Sequence, residues 1–294
     1  MKIGITAIGI GKAARPGTIR AVAEHADRLN IATLWAPEHV VLFDNPASKY
    51  PYTSDGRFLA GSTISLLDPF IGLTYAAAHS KRVRLATGIC LVPEHNPLVL
   101  AKVIASLDYL SGGRLALGVG IGWAAEEFAA LGIPFERRGQ RTGEYIEAMR
   151  KLWTDAASSY HGEFVNFDEA RSFPKPAQGG KVPVIFGGES LPALRRVARL
   201  GNGWFGVNLT PDQAAVKIAK LHSLLDEYGR SHDEIEIIIS PYENQTTIDD
   251  LRAYHELGVS EFVPFVRLPG DDAKIPEALE QVAREWVEPA SKIA

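Results

Sequence analysis

Short apolar segments alternate with longer amphipathic segments along this chain, and the alternation predicts its fold. Residues 81–123 show the pattern most clearly. There an apolar segment long enough for a buried strand, 83–92, precedes a helix with apolar residues at three- and four-residue steps. Asn96 with Pro97 is typical of the start of that helix, and Gly112 is typical of its end. A second apolar strand follows, so this stretch is predicted to be a β-α-β unit with parallel neighbouring strands.

The same alternation continues along the whole chain. The predicted strands are 2–8, 33–35, 83–92, 115–119, 184–186, 203–207, 235–239 and 262–266. Because a parallel sheet that alternates with helices over about 250 residues closes best as a barrel, we expect an α/β fold, a (β/α)8 TIM barrel, formed as one domain by residues 1–294. Two segments without a convincing period, 40–63 and 154–182, predict insertions after strand 2 and before strand 5. A doubly wound open sheet is the alternative, but no G-x-G-x-x-G follows the first strand.

Composition narrows the class of function. The 294 residues are 46% hydrophobic with a net charge of −4, and charges of both signs are mixed, so nucleic acid and membrane are poor candidate partners. The single cysteine, Cys90, excludes an internal disulfide framework and fits a reducing compartment. No segment approaches the roughly 18 apolar residues of a membrane span, and the N-terminus lacks the apolar length of a signal peptide. We therefore expect a cytoplasmic protein that acts on a small molecule.

In a TIM barrel the active site lies at the C-terminal ends of the strands. The candidate site residues are therefore those that end or follow the predicted strands: Ala7, Glu38, His39, Thr87, Gly88, Ile89, Gly120, Ile121, Gly122, Trp123, Gly187, Gly188, Glu189, Ser190, Val207, Asn208 and Ser240. His39 is the one histidine directly after a strand at this face. An imidazole exchanges protons near neutral pH, and Glu38 beside it could tune that exchange. His39 and Glu38 are thus the candidate catalytic residues.

The other candidates suggest a bound cofactor. Gly187, Gly188 and Ser190 at a helix start offer free N–H groups and a hydroxyl, which suit a phosphate. Glycines at the ends of two neighbouring strands, Gly88 and Gly120, suggest the floor of a pocket. No metal-binding cluster and no lysine follows the strands, so metal and Schiff-base chemistry lack support. With no obvious nucleophile, a cofactor is expected to carry the reaction.

Several motifs over nearly the whole chain together carry a family resemblance. They are Trp35-Ala36-Pro37-Glu38-His39, Ala86-Thr87-Gly88-Ile89, Pro97 through Leu107-Asp108-Tyr109-Leu110-Ser111-Gly112-Gly113-Arg114, Leu117 through Gly120-Ile121-Gly122-Trp123, Glu126-Glu127-Phe128, Arg138-Gly139, Leu152-Trp153 and Gly187-Gly188. These motifs resemble the luciferase-like monooxygenase family, and especially its branch that uses the deazaflavin coenzyme F420.

The resemblance implies a cofactor ring across the strand ends. The residues implied to bind the cofactor are Ala7, His39, Thr87, Gly88, Ile89, Gly120, Gly122, Gly187, Gly188 and Ser190, the last three at its phosphate. It further implies a cis peptide between Gly88 and Ile89. Where sugar-phosphate dehydrogenases of this family have an acidic residue, this chain has Trp123. That departure suggests an apolar or aromatic substrate wall, which Tyr50, Tyr52 and Phe58 of the first insertion would complete.

Two activities remain open under this resemblance. The first is an F420-dependent oxidoreductase that transfers a hydride to or from a small organic substrate. The alternative is an FMN-dependent monooxygenase that uses reduced flavin, dioxygen and a separate reductase. A cofactor-binding protein without turnover is a third hypothesis. A lyase or isomerase is a fourth, but it would need a lysine or a set of metal ligands, and neither is found at the predicted strand ends. The resemblance also implies a homodimer.

Overall fold

The computed structural model describes residues 1–242 and 244–293, and within them a closed parallel barrel of eight strand positions confirms the predicted fold. The strands are β1 (Lys2–Thr6), β2 (Thr33–Ala36), β3 (Arg84–Thr87), β4 (Cys90–Leu91), β5 (Leu115–Gly120), β6 (Ser158–His161), β7 (Asn166–Ala170), β8 (Val184–Gly187), β9 (Gly203–Val207), β10 (Glu236–Ser240) and β11 (Glu261–Phe262). The third barrel position is shared by β3 and β4. Pairing of β1 with β11 and of β3 with β5 closes the sheet on itself.

Helices cover the outside of this barrel. They are α1 (Pro16–Arg28), α2 (Pro69–Ala78), α3 (Pro97–Ser111), α4 (Ala125–Ala130), α5 (Arg138–Thr154), α6 (Leu191–Leu200), α7 (Pro211–Glu227), α8 (Ile248–Glu256), α9 (Ile275–Val282) and α10 (Glu288–Ser291). The predicted boundaries of α3 are confirmed. The Asn96 side chain accepts hydrogen bonds from the amides of Leu98 and Val99, and Gly112 ends the helix at a φ of 70°.

Alternate residues of each strand pack on opposite sides of the barrel wall. One apolar cluster fills the barrel interior: Trp35, Ala86, Ala116, Ile185, Phe205, Ile238 and Val263. A larger cluster joins the outer side of the strands to the helices. The interior is therefore a packed core, and a ligand has room only at the ends of the strands.

Three elements differ from the prediction. The second insertion contains a hairpin, β6 and β7, which the mainly polar sequence did not indicate. Strand β11 has two residues instead of five, since Pro264 has no N–H to donate to a neighbouring strand. The last helix is divided, because α9 passes through a π-helical turn at Ala283–Val287 before α10.

Candidate active site

The third barrel strand is interrupted by a bulge at the C-terminal face. The residue numbers of Leu85 and its partner Leu115 differ by 30, whereas those of Cys90 and its partner Val119 differ by 29. The third barrel strand therefore carries one extra residue between these two pairs. The peptide between Gly88 and Ile89 is cis, as the family resemblance implied.

Side chains pack tightly on both sides of this bulge. A Cβ on Gly88 would lie 3.1 Å from Cβ and 3.2 Å from Cε3 of Trp35, so any larger residue here would require the Trp35 side chain to shift. The Ile89 side chain occupies the space that a Cβ on Gly120 would need and lies against Gly187. The glycines of β5 and β8 therefore make room for Ile89, whose side chain crosses the ends of both strands.

His39 pairs with a carboxylate distant in sequence. Its Nδ1 lies 2.7 Å from Oε2 of Glu127 in α4, and the two side chains are 9% and 1% exposed. The indole Nε1–H of Trp123 donates to His39 Nε2 at 3.4 Å. Because a carboxylate only accepts and an indole only donates, the neutral ring carries its proton on Nδ1 and presents a lone pair at Nε2. His39 is thus held in one tautomer between Glu127 and Trp123.

Glu38 does not tune His39 by direct contact, so that part of the prediction is wrong. The Oε1 of Glu38 lies 2.9 Å from Nε2 of His95, and its Oε2 accepts the amide N–H of Leu91 at 2.5 Å. Consecutive side chains of an extended segment point to opposite sides, so Glu38 points toward β4 and His39 points toward α4. The carboxylate partner of His39 is Glu127, which the sequence analysis noted only within a family motif.

Aromatic rings from the first insertion and from the loop after β5 gather around His39. Phe58 and Trp123 have ring centroids 5.4 and 5.8 Å from the imidazole, both edge to face. Tyr50 lies 5.3 Å from Trp123 and 5.5 Å from Tyr52. Burial raises the pKa of both tyrosine hydroxyls, so they remain protonated at neutral pH. The structure therefore brings together the aromatic residues that the sequence analysis proposed as a substrate wall.

Helix α4 fastens the first insertion over the barrel. Glu127 Oε1 accepts the amide N–H groups of Val40 and Val41, and Glu126 Oε1 accepts those of Ala47 and Ser48. Charged acceptors make stronger hydrogen bonds than neutral ones, so these four bonds fix the path of the insertion. Glu127 consequently serves two purposes, because its two oxygens hold the insertion and orient His39.

The loop after β8 is the predicted phosphate-binding segment. The hydroxyl of Ser190 accepts the amide N–H of Ala193 and so caps α6, as predicted. Gly188 has a φ of 100°, and its carbonyl accepts the indole N–H of Trp204. Glu189 is turned toward β9, where its Oε1 accepts the amide N–H of Val207. The carboxylate is thus directed away from the first turn of α6.

A basic cavity of about 470 Å³ lies between the first turns of α5 and α6. Its lining residues are Arg137, Arg138, Gly139, Gln140, Pro192, Arg195, Arg196, Arg199 and Tyr228. Arg138 links this cavity to the strand ends, because its Nε–H donates to the carbonyl of Gly122 at 3.1 Å. Burial, then the charges of Arg138 and Arg199, lower the pKa of Arg196, and its buried Nε has no hydrogen-bond partner among the described residues. Guanidinium groups that lie close together and have unused N–H donors favour the binding of an anion.

Two of the residues predicted to bind the cofactor are buried and form hydrogen bonds within the barrel. The hydroxyl of Thr87 donates to the carbonyl of Gly118 at 2.7 Å, and its side chain is fully buried. Ala7 is also buried and its amide N–H donates to the carbonyl of Trp35. Glu127 and Arg138 are site residues that were not singled out from the sequence, although both lie in motifs that carry the family resemblance.

Glu38, Cys90 and His95 form the single group in residues 1–242 and 244–293 whose ligand atoms lie close enough together to hold a metal ion. Glu38 already accepts two hydrogen bonds there, and burial strongly raises the pKa of the Cys90 thiol. Since metals bind the thiolate, we interpret the group as a hydrogen-bonded cluster. In the same ranges, every helix is too short or too polar to cross a bilayer.

Comparison with known sequences identifies the family. The family model for luciferase-like monooxygenases matches residues 4–243. An uncharacterised protein of Mycobacterium tuberculosis is 35% identical over 247 residues, which cover 83% of this chain and 85% of that protein. The FMNH2-dependent dimethylsulfone monooxygenase of Pseudomonas putida is 33% identical over 156 residues, which cover 52% of this chain and 42% of that protein.

Solved structures show the same fold. Monooxygenase RslO1 from Streptomyces bottropensis has a TM-score of 0.77 at 22% identity, covering 98% of this chain and 99% of its own. The coenzyme F420-dependent tetrahydromethanopterin reductase of Methanopyrus kandleri has a TM-score of 0.75 at 17% identity, with the same coverage. Because the family model spans most of the barrel and a relative is 35% identical over 83% of the chain, this protein belongs to the luciferase-like monooxygenase family and is an oxidoreductase.

Proposed function

We propose that this protein is a coenzyme F420-dependent oxidoreductase acting on a small organic substrate. The observation that carries the proposal is the Glu127–His39 pair at the strand ends, where a proton can be exchanged beside a cofactor ring. When bound, the deazaflavin supplies a hydride donor or acceptor and activates dioxygen poorly. The side chains of this chain then supply the proton and the binding energy.

The residues present fit a cofactor that carries a phosphate. Arg138 and Arg196 lie near the N-terminus of α6, and the basic cavity that they line has unused donor capacity. Ser190, Gly187 and Gly188 form the loop that precedes this helix, as the sequence analysis proposed. We therefore place the cofactor phosphate at the first turn of α6, with Arg138 and Arg196 as its charged partners.

His39 would hold and move the proton of the reaction. In the protonated form of His39 both ring nitrogens carry a proton, and Nδ1–H donates to the Glu127 carboxylate. A substrate oxygen that replaces the Trp123 indole at Nε2 could accept this proton, or give one up in the reverse direction. Glu127 keeps the ring oriented throughout, because its Oε2 remains paired with Nδ1.

The aromatic wall indicates the class of substrate. Phe58 and Trp123 pack against His39, and Tyr50 and Tyr52 extend this wall through contacts with Trp123 and with each other. Such a wall binds flat apolar molecules better than sugar phosphates, whose hydroxyls and charge would lose water without gaining partners. We propose enones, aromatic ketones or the corresponding alcohols as substrates.

An FMN-dependent monooxygenase is the second candidate. It is favoured by the dimethylsulfone monooxygenase of Pseudomonas putida, which is 33% identical over 52% of this chain. The phosphate site cannot distinguish the two cofactors, because both carry a phosphate. This alternative would require a separate reductase to supply reduced flavin. A homodimer in the cytoplasm is proposed with either cofactor, and light scattering at micromolar concentration tests the dimer.

A parallel titration with F420 and with FMN tests the proposal. We expect tight binding of F420, seen by its fluorescence or by calorimetry, and weak binding of FMN. Tight binding of FMN alone would overturn the choice of cofactor and make oxygen consumption the next assay. A His39→Gln variant that binds F420 but has lost turnover would exclude a cofactor carrier without chemistry.

A further inference from the structure

A second basic cavity lies at the face of the barrel opposite the candidate active site. It has a volume of about 350 Å³ and lies where the last turns of α5 and α6 meet the segments that lead into β8, β9 and β10. Gly201 and Asn202, which line it, directly precede β9. Because all strands of a parallel barrel begin at this face, the cavity is remote from the strand ends that form the candidate active site.

The charges that line this lower cavity are incompletely balanced. Among the described residues no acidic side chain lines it, whereas four cations do: Arg150, Lys181, Arg199 and Arg230. Arg199 lies 3.4 Å from a carboxylate oxygen of Glu147, and Arg230 lies 3.0 Å from one of Glu234. Neither Arg150 nor Lys181 forms an ion pair within the described part of the chain. Two positive charges therefore face this cavity without a carboxylate.

Arg150 is held in place by neutral groups. Its Nη2–H groups donate to the carbonyl of Leu200 at 2.7 Å and to Oδ1 of Asn202 at 3.3 Å. Carbonyl groups at the end of a helix attract a cation, which explains the position of the side chain. They carry only partial charge, and Nε and Nη1 of Arg150 have no hydrogen-bond partner in residues 1–242 and 244–293. The guanidinium group is thus oriented in advance and retains unused donors.

Asn202 adds a neutral donor to the same cavity. Its Oδ1 accepts hydrogen bonds from Arg150 and from the amide N–H of Val184, which fixes the orientation of the side-chain amide. Its Nδ2 group donates to none of the described residues. Burial, followed by the charge of Arg230, lowers the pKa of Arg150. An anion in the cavity would offset both effects, because it attracts the charged form of the guanidinium group.

We propose that the lower cavity binds a small dianion, either inorganic phosphate or the phosphate group of a monoester. Arg150 and Lys181 supply the charge, and Nδ2 of Asn202 supplies a further hydrogen bond. The volume lies near the lower limit of ligand pockets, about 300 Å³, which fits a small molecule. Such a site is independent of the cofactor and of the reaction, and Arg199 is the one residue that lines both basic cavities.

A titration with inorganic phosphate tests this site without cofactor or turnover. The 15N-labelled full chain is observed by NMR, and sodium chloride holds the ionic strength constant, so that general screening does not contribute. We expect the amide signals of Lys181, Gly201 and Asn202 to shift with saturation. Shifts that never saturate, or that saturate only at Gly139 and Arg196 of the other basic cavity, would overturn the proposal.

Variants identify the cavity that binds the ion. Arg150→Met should raise the Kd for phosphate by about tenfold, because it removes a charge-assisted hydrogen bond. Since Arg150 also bonds to the end of α6, Lys181→Met provides a second variant at an exposed side chain without a bond to the described residues, and its Kd should also rise. An unchanged Kd in both variants would contradict the site.

Two controls accompany these variants. Lys220→Met removes an exposed lysine of α7 outside the cavity, and Arg196→Met changes only the other basic cavity. Both should retain the Kd of the wild type at the amides of Gly201 and Asn202. A rise in that Kd in Lys220→Met equal to the rise in Lys181→Met would show that phosphate responds only to net charge and would overturn the proposal.

A second titration, with glycerol phosphate, distinguishes the two sources of the dianion. It is performed above the second pKa of both compounds, so that their charges are equal. Tighter binding of glycerol phosphate than of inorganic phosphate would assign the site to a monoester, and the reverse would assign it to the free ion. Failure of the proposed function would leave these measurements unaffected, because none of them uses F420.

Discussion

Nδ1 of His39 lies 2.7 Å from Oε2 of Glu127, a residue 88 positions further along the chain. The other oxygen of the same carboxylate accepts the amides of Val40 and Val41, which directly follow His39. One side chain in α4 therefore sets both the orientation of the imidazole and the path of the insertion that covers it. This coupling makes Glu127 the most informative residue to change.

Glu127→Gln should reduce turnover while cofactor binding changes little. The amide oxygen can still accept the hydrogen bonds of Val40 and Val41, but the NH2 group that would then face His39 cannot accept its Nδ1–H. We expect kcat to fall on the order of 100-fold, with a much smaller change in the Kd for F420.

Glu126→Gln is the matched control for this change. Glu126 holds the insertion through the amides of Ala47 and Ser48, whereas the carboxylate at His39 is that of Glu127. An equal loss of kcat in both variants would show that Glu127 acts only by fastening the insertion.

The fold was predictable because its signals are local. Asn96 with Pro97 and Ser190 each begin a helix where the sequence indicates, because a capping side chain needs only its own first turn. The hairpin of β6 and β7 was missed since its position depends on Glu144, a residue of α5 that accepts the amides of residues 163–165. A contact of this kind has no local pattern in the sequence.

The position of the candidate site was predictable from the sequence, but the hydrogen-bond partners of its residues were not. His39, Trp123 and Tyr50 meet at the strand ends because the barrel rule brings all strand ends to one face. The choice of Glu38 as the partner of His39 was wrong, because neighbours in sequence diverge in an extended segment. Glu127 could have been found only from the family motif that contains it.

Trp123→Ala should weaken the binding of apolar substrates. The change removes the ring that packs against His39 and Tyr50 and leaves a hole in the aromatic wall. We expect KM for an aromatic ketone or enone to rise by about tenfold or more, in line with the loss of a large buried ring, while the Kd for the cofactor stays nearly constant.

Phe43→Ala serves as the control for Trp123, because Phe43 is an exposed aromatic residue of the first insertion. Its KM should equal that of the wild type. An unchanged KM in Trp123→Ala would show that the wall does not bind the substrate.

Arg196→Met should weaken cofactor binding without destabilising the protein. The guanidinium is partly buried beside Arg138 and Arg199, and burial with these like charges lowers its pKa, so an uncharged side chain relieves repulsion. Loss of a charge-assisted bond to phosphate should raise the Kd by about tenfold to 100-fold. Thermal unfolding checks both effects: the Tm without cofactor should be equal or higher, and the rise in Tm on adding cofactor should shrink.

Arg195→Met tests whether the effect on cofactor binding depends on where the arginine lies in the cavity. Arg195 lines the same cavity but is exposed, so its removal should change the Kd less. If both variants bind the cofactor as the wild type does, the phosphate lies elsewhere.

Glu94 should make the stability of the protein depend on pH. Its pKa is raised to about 9 in the folded chain, mainly by burial, whereas an unfolded glutamate ionises near pH 4.3. Between these values the folded state retains a proton that the unfolded state releases, so stability falls as pH rises from about 4.3 to about 9. Glu94→Gln removes this contribution. The free energy of unfolding of the variant, relative to the wild type, should therefore grow steadily over that window in urea titrations at several pH values. A constant difference would mean that Glu94 is ionised in the folded chain and would contradict the raised pKa.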